Sequence, residues 1–175
     1  MIFLVTHASR TDEADPVHTN EGLKELTSQI MSNVIALVIL HFQISTVCIG
    51  KGKRFKESYR AFTQLFPTGM PVIEDGHFGD EVSHRDGIGY ILEDGTIVPD
   101  EQYIGLSALE GDWWEYLKNK VPDKSIIFTG RQFCECLGVK SRSCSIYAVN
   151  PQRKQVVCVI EAGKSLTGFE PASSS

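Results

Sequence analysis

The chain is predicted to fold as an α/β sandwich with a mostly parallel sheet, and three observations predict it. Short runs of β-forming residues alternate with segments whose apolar residues recur at helical spacing. Several of those runs give way at their C-terminal ends to polar stretches such as Thr6-His7-Ala8-Ser9-Arg10 and Gly50-Lys51-Gly52-Lys53-Arg54, where an open α/β sheet places its ligands. A hairpin pattern, Asp94-Gly95 between Gly89-Tyr90-Ile91-Leu92 and Thr96-Ile97-Val98, is added in a loop-rich middle, 75–101. The 175 residues suffice for one domain with a full core, expected over residues 1–165, and residues 166–175 read as a flexible small-residue tail.

Met1-Ile2-Phe3-Leu4-Val5 is the first strand. The polar segment Asp12 to Val17, with Pro16, reads as a loop over the site, and Thr19 or Asn20 can cap the helix that follows. Leu23, Leu26, Ile30, Val34 and Leu37 give that helix its apolar face. Ile44 to Ile49 is the second strand, Arg54 to Phe66 a helix stopped by Pro67 and Gly69, and Met70 to Glu74 a short extended piece. Ser107 to Lys120 reads as a helix with Leu109, Trp113 and Leu117 on one face, so that Trp113 and Trp114 belong to core and rim rather than to a stacking site. A strand over Ser125 to Phe128, a helix over Gln132 to Leu137, and strands over Ser145 to Val149 and Gln155 to Glu161 complete the order.

Composition excludes several classes. Apolar content of 42% and charged content of 22% are those of a globular protein, and a net charge of −5 argues against nucleic-acid binding. The apolar run Val34 to Leu40 is too short to span a bilayer, so no membrane partner is expected. Five cysteines, with no signal peptide before them, suit reduced thiols and a cytoplasmic location. Cys134 and Cys136 are one residue apart, closer than the usual spacing of a zinc site.

The chemistry begins at His7 and Arg10. Imidazole is a capable nucleophile and guanidinium grips phosphate oxygens in pairs, so the two at a strand end suggest a phosphate site. The alternative is a histidine that merely caps a buried strand.

This layout resembles the histidine phosphatase superfamily, the phosphoglycerate-mutase-like group. In that family the first strand ends in Arg-His-Gly, with the histidine transiently phosphorylated, and the triplet here is Thr6-His7-Ala8. His18-Thr19-Asn20-Glu21-Gly22 is similar to the family's Leu-Thr-x-x-Gly, and Gly50-Lys51-Gly52-Lys53-Arg54 matches its Ser-x-x-x-Arg in spacing. The family's acidic proton donor falls at Val72-Ile73-Glu74-Asp75-Gly76, which implies Glu74. Over roughly residues 1–160 the resemblance implies a three-layer sandwich, catalysis through phosphohistidine at His7, and no metal or organic cofactor.

Two departures stand out. The arginine before the nucleophile is Thr6, and Thr129-Gly130 carries glycine where the family's second histidine would stand. Loss of one preorganised donor typically costs about 10²–10³ in rate. Arg10, where the acid-phosphatase branch has a further phosphate-binding arginine, and Arg131 could restore charge to a pocket shared with Arg54. Against this, loop arginines are more often solvated.

His77 or His84 could also protonate a leaving group. A metal site among His77, Asp80, Glu81, His84 and Asp86 competes with the simpler reading of a polar loop. Cys136 to Ser143 has the Cys-x5-Arg-Ser pattern of cysteine-based phosphatases, but a helix precedes it and a strand follows, the reverse of what that loop needs. Gly50-Lys51-Gly52-Lys53 lacks the Gly-Lys-Ser/Thr of a nucleotide-binding loop. The expected function is phosphoryl hydrolysis or transfer from a small phosphorylated molecule at His7. A phosphatase-like protein that only binds a phosphorylated ligand, partner or inorganic phosphate is the rival reading.

Overall fold

The computed structural model describes residues 1–8, 10–11, 14–31, 33–34, 41–67, 69–79, 83–85, 87–92, 94–102, 113–161 and 164–165. The tail expected over 166–175, the first half of the helix expected over 107–120, and residues 35–40 of the apolar run lie outside these. Along the chain the elements are β1 (Ile2–Thr6), α1 (Asn20–Glu25) continuing as a π-helical segment (Leu26–Met31), β2 (Thr46–Ile49), α2 (Lys53–Leu65), β3 (Val72–Glu74), a 3-10 turn (Gly76–Phe78), β4 (Ser83–Arg85), β5 (Gly89–Ile91), β6 (Ile97–Val98), α3 (Trp113–Lys120), β7 (Ser125–Thr129), α4 (Arg131–Cys136), β8 (Ile146–Asn150), β9 (Gln155–Glu161) and β10 (Lys164–Ser165).

Every residue of β1, β2 and β7 is buried, as expected of strands covered on both faces. They form the centre of a seven-stranded sheet in the order β10-β9-β8-β1-β7-β2-β3. β1, β7, β2 and β3 pair in parallel, with Leu4 opposite Ile127 and Cys48 opposite Ile127 on the other side. β8 is antiparallel to β1, and β9 and β10 follow as antiparallel neighbours. β1, β2, β3, β7 and β9 therefore run one way, which is the mostly parallel sheet read from the sequence.

Alternation along β1 builds the two outer layers. Phe3 and Val5 face one core with Leu26, Met31 and Phe62, under α1, the π segment and α2. Ile2 and Leu4 face another with Trp113, Leu117 and Phe133, under α3 and α4. Each fully buried phenylalanine there contributes about 1.5–3 kcal/mol of transfer free energy. The π geometry was not anticipated; its wider turn lets Leu26 and Met31, five apart, both be fully buried.

The caps agree with the sequence. Thr19 Oγ1 accepts the Gly22 N–H at 3.0 Å and opens α1. α2 buries Phe55, Ser58, Ala61 and Phe62 on one face and ends just before Pro67. The expected hairpin is β5 and β6, with Tyr90 opposite Val98, and β4 adds a third strand to this small sheet. Among the described residues no helix is long and apolar enough to cross a membrane.

Candidate active site: a histidine among arginines

β1, β2 and β7 are adjacent and parallel, so the segments leaving their C-terminal ends meet on one edge of the sheet. β1 delivers His7 and Arg10, β2 delivers Arg54 in the first turn of α2, and β7 delivers Arg131 at the start of α4. All four line one cavity of about 210 Å³, with His77, Phe78 and Ser141–Ser143 among its other walls. That volume is below the about 300–1,000 Å³ usual for drug-sized ligands and suits a phosphoryl group with a small organic part.

A close approach of backbone to ring shapes the floor. The Gly79 carbonyl accepts the Lys51 N–H at 2.8 Å, drawing the 3-10 turn against the start of α2. A Cβ on Gly79 would lie 2.1 Å from Phe55 Cε2, so only glycine fits. Thr129 Oγ1 donates to the Phe78 carbonyl and ties the end of β7 to the same turn.

His7 is held as a neutral ring. Its Nδ1 lies 2.8 Å from the Ala8 carbonyl, which can only accept, so Nδ1 carries the proton and Nε2 keeps its lone pair. Burial first, and then the charge of Arg54, press the His7 pKa down to about 3, with His18 and Arg10 adding to the fall and the Ala8 carbonyl opposing it. An unprotonated nitrogen beside fixed positive charge is what attack on a phosphate dianion needs. Arg54 is 8% exposed, with its guanidinium 4.2 Å above the Phe55 ring centroid. Arg131 and Arg142 are more open, their Nε atoms 3.5 Å from Glu135 Oε1 and 2.8 Å from Glu161 Oε1.

The two departures from the family pattern have structural consequences. Thr6 Oγ1 donates to the Arg142 carbonyl at 2.6 Å and accepts the Ser145 N–H at 3.0 Å, so it straps the loop before β8 across the end of β1. Cys144 N–H donates to the His7 carbonyl at 3.2 Å and adds to this strap. At Gly130 a Cβ would stand 3.3 Å from His7 Cδ2 and 3.4 Å from its Nε2, so a side chain there would press on the His7 ring.

Glu74 is a correction. It is on the edge strand β3, exposed, with Oε1 3.4 Å from Lys56 Nζ, and it does not line the cavity. His77 lines the cavity instead. Cys136 is not among the lining residues, and burial followed by the Glu135 charge pushes its thiol pKa up, away from the thiolate that a cysteine-based mechanism requires. Asp80, Glu81 and Asp86 lie outside the described residues, and among the described ones no three His, Cys, Asp or Glu side chains gather to hold a metal.

Ser141, Arg142 and Ser143, which the sequence offered only within the Cys-x5-Arg-Ser match, form a wall of the cavity. They come to it because β8 runs antiparallel to β1, which puts the segment before β8 beside the residues after β1.

No family model matches the chain, and no curated protein sequence matches it. Solved structures do. The chain is similar to YhfR of Bacillus stearothermophilus at 10% identity and a TM-score of 0.58, over 94% of this chain and 97% of that one. It is similar to a phosphoglycerate mutase from Plasmodium falciparum at 14% identity and a TM-score of 0.51, over 99% and 97%. It is also similar to the protein histidine phosphatase SixA complexed with tungstate, at 9% identity and a TM-score of 0.52, over 90% and 92%. With β1, β7, β2 and β3 in parallel order and helices on both faces, the chain has the fold of the histidine phosphatase superfamily.

Proposed function

We propose that this protein transfers the phosphoryl group of a small phosphomonoester to His7 and then to water or a second acceptor. The observation that carries the reading is a neutral imidazole, its proton engaged on the Ala8 carbonyl, in a small cavity shared with Arg10, Arg54 and Arg131. In this reading Arg54 and Arg10 hold the phosphoryl oxygens and Arg131 guards the rim. His7 Nε2 attacks in line, the N–P bond forms and the ester P–O bond breaks. The tungstate in the SixA structure is a phosphate analogue and supports an oxyanion as the ligand of such a pocket.

The second reading, a binder of phosphorylated ligands without turnover, is favoured by Thr6 and Gly130, which remove an arginine and a histidine from the family's pocket. Hydrolysis of p-nitrophenyl phosphate by the wild type, His7→Ala and Cys136→Ser separates the two. Loss confined to His7→Ala, with an acid-labile phosphoenzyme in the wild type, supports catalysis. Loss confined to Cys136→Ser would overturn it. An inactive wild type that still binds inorganic phosphate, with binding abolished by Arg54→Met, selects the binder.

A further inference from the structure

The reading at His7 leaves one group without an assignment: the source of the proton for the departing oxygen. His7 cannot supply it, because the proton on Nδ1 is directed to the Ala8 carbonyl and must stay while Nε2 is phosphorylated. Glu74 is outside the cavity. The arginines do not release protons at physiological pH.

We propose that His77, oriented by Asp75 and Tyr116, is the proton-transfer group of this site, an inference that rests on phosphoryl transfer through His7. His77 stands in the 3-10 turn that follows β3 and lines the same cavity as His7. Its Nδ1 lies 2.7 Å from Asp75 Oδ1, which also accepts the His77 backbone N–H at 2.9 Å. The second Asp75 oxygen accepts the Tyr116 hydroxyl at 3.1 Å. The ring is further held edge-on to Tyr116 at 5.3 Å and Trp113 at 6.2 Å between centroids.

This arrangement divides the ring's two nitrogens. The 2.7 Å contact is an ion-pair contact rather than an aligned hydrogen bond, and a carboxylate beside Nδ1 favours the proton on that nitrogen, which leaves Nε2 as the one that exchanges. Burial works against ionisation of Asp75, but the His77 backbone N–H, the His77 ring and the Tyr116 hydroxyl together hold its carboxyl below the usual range. Asp75 is thus a fixed anion and a positioning residue, with its oxygens engaged. Protonated His77 gives the Nε2 proton to the ester oxygen as the P–O bond breaks, so the alcohol leaves neutral. The neutral ring then takes a proton from the water that attacks phosphorus. The N–P bond breaks, inorganic phosphate leaves, and both histidines return to their starting states.

The test compares two esters with the full-length wild type, His7→Ala, His77→Gln, His77→Asn and Asp75→Asn. Phenyl phosphate needs a proton on its leaving oxygen and 2,4-dinitrophenyl phosphate does not. Replacing His77 should lower kcat/KM, which reports only the steps through phosphoryl transfer to His7, about 10²–10⁴-fold for phenyl phosphate while leaving it within a few-fold for dinitrophenyl phosphate. Asp75→Asn should show the same selectivity at smaller size. Retained dinitrophenyl phosphate hydrolysis also reports a folded site. Equal losses of kcat/KM on both esters would overturn the proposal, because the ring would then be structural. A selective loss with Asp75→Asn and none with His77→Gln would also overturn it, since the carboxyl would be the donor. Turnover of dinitrophenyl phosphate surviving His7→Ala would instead remove the underlying reading.

Discussion

His18 Nε2 accepts the backbone N–H of Ala8 at 3.2 Å, so a buried imidazole holds the peptide next to the proposed nucleophile. The His18 Nδ1 lies 3.2 Å from Glu57 Oε1, which also accepts the His18 backbone N–H at 2.7 Å. Glu57 on α2 thereby sets the tautomer, and the bridge between Arg10 and His18 ties Arg10, which lines the cavity, to the same anchor.

A pH dependence follows. Burial lowers the His18 pKa, with Glu57 opposing and Arg54 assisting, and His7 falls to about 3. Histidines with depressed folded-state pKa values bind fewer protons folded than unfolded, so their stabilisation is complete above about pH 6.5, the unfolded value. It is lost as pH falls from there toward the folded values. Thermal melts across that range should show Tm falling with acid, and His18→Gln should flatten the slope. An equal slope in wild type and variant would count against the role of His18.

Arg54 should outweigh the rim arginines. It is 8% exposed and presses on the His7 pKa, whereas the Arg142 side chain is 71% exposed and paired with Glu161. Arg54→Met is expected to lower kcat/KM by about 10²–10³ and to weaken inhibition by inorganic phosphate, against less than about tenfold for Arg142→Met. The same substitution should raise the His7 pKa, read by histidine NMR titration.

The sheet edge that carries the site was legible because three apolar runs each end in a polar stretch, and parallel strands gather such ends whatever the details of packing. Glu74 was not, because strand side chains alternate. Ile73 packs on the core under α3 and α4, which turns Glu74 to the opposite side, toward Lys56 on α2. Thr6 could be seen as a departure, but its partners, the Arg142 carbonyl and the Ser145 amide, are more than 130 residues away and have no sequence pattern. The π segment at Leu26–Met31 was equally hidden, since the apolar spacing there reads as an ordinary amphipathic helix.

Gly79 and Gly130 should separate stability from activity. In Gly79→Ala the new methyl would overlap the Phe55 ring, with contacts of 2.1 and 2.3 Å, and relief requires moving a buried aromatic. Destabilisation of about 1–3 kcal/mol or more is expected, read as a lower Tm. In Gly130→Ala the nearest atoms are His7 Cδ2 at 3.3 Å and Nε2 at 3.4 Å. A shift of the ring by a few tenths of an ångström relieves that contact, so stability should change little. Turnover should fall, because in-line attack tolerates little misplacement of the nucleophile.

Thr6 exchanges a charge for a structural bond. Where the family pattern has arginine, this chain has a 3% exposed hydroxyl that serves both the Arg142 carbonyl and the Ser145 amide. Thr6→Val keeps the shape and removes the hydroxyl, leaving buried polar groups without their partner at a cost of about 1–3 kcal/mol in unfolding free energy. The strap it breaks carries Ser141–Ser143, a wall of the cavity, so phosphate affinity should fall along with stability. Thr6→Arg should not recover the family's pocket, because the guanidinium would displace the strap and, having no acceptor, would leave the Ser145 amide N–H without its partner. Denaturant unfolding and phosphate binding of the two variants check this. A Thr6→Arg protein that is both as stable as the wild type and tighter for phosphate would show that the strap is dispensable.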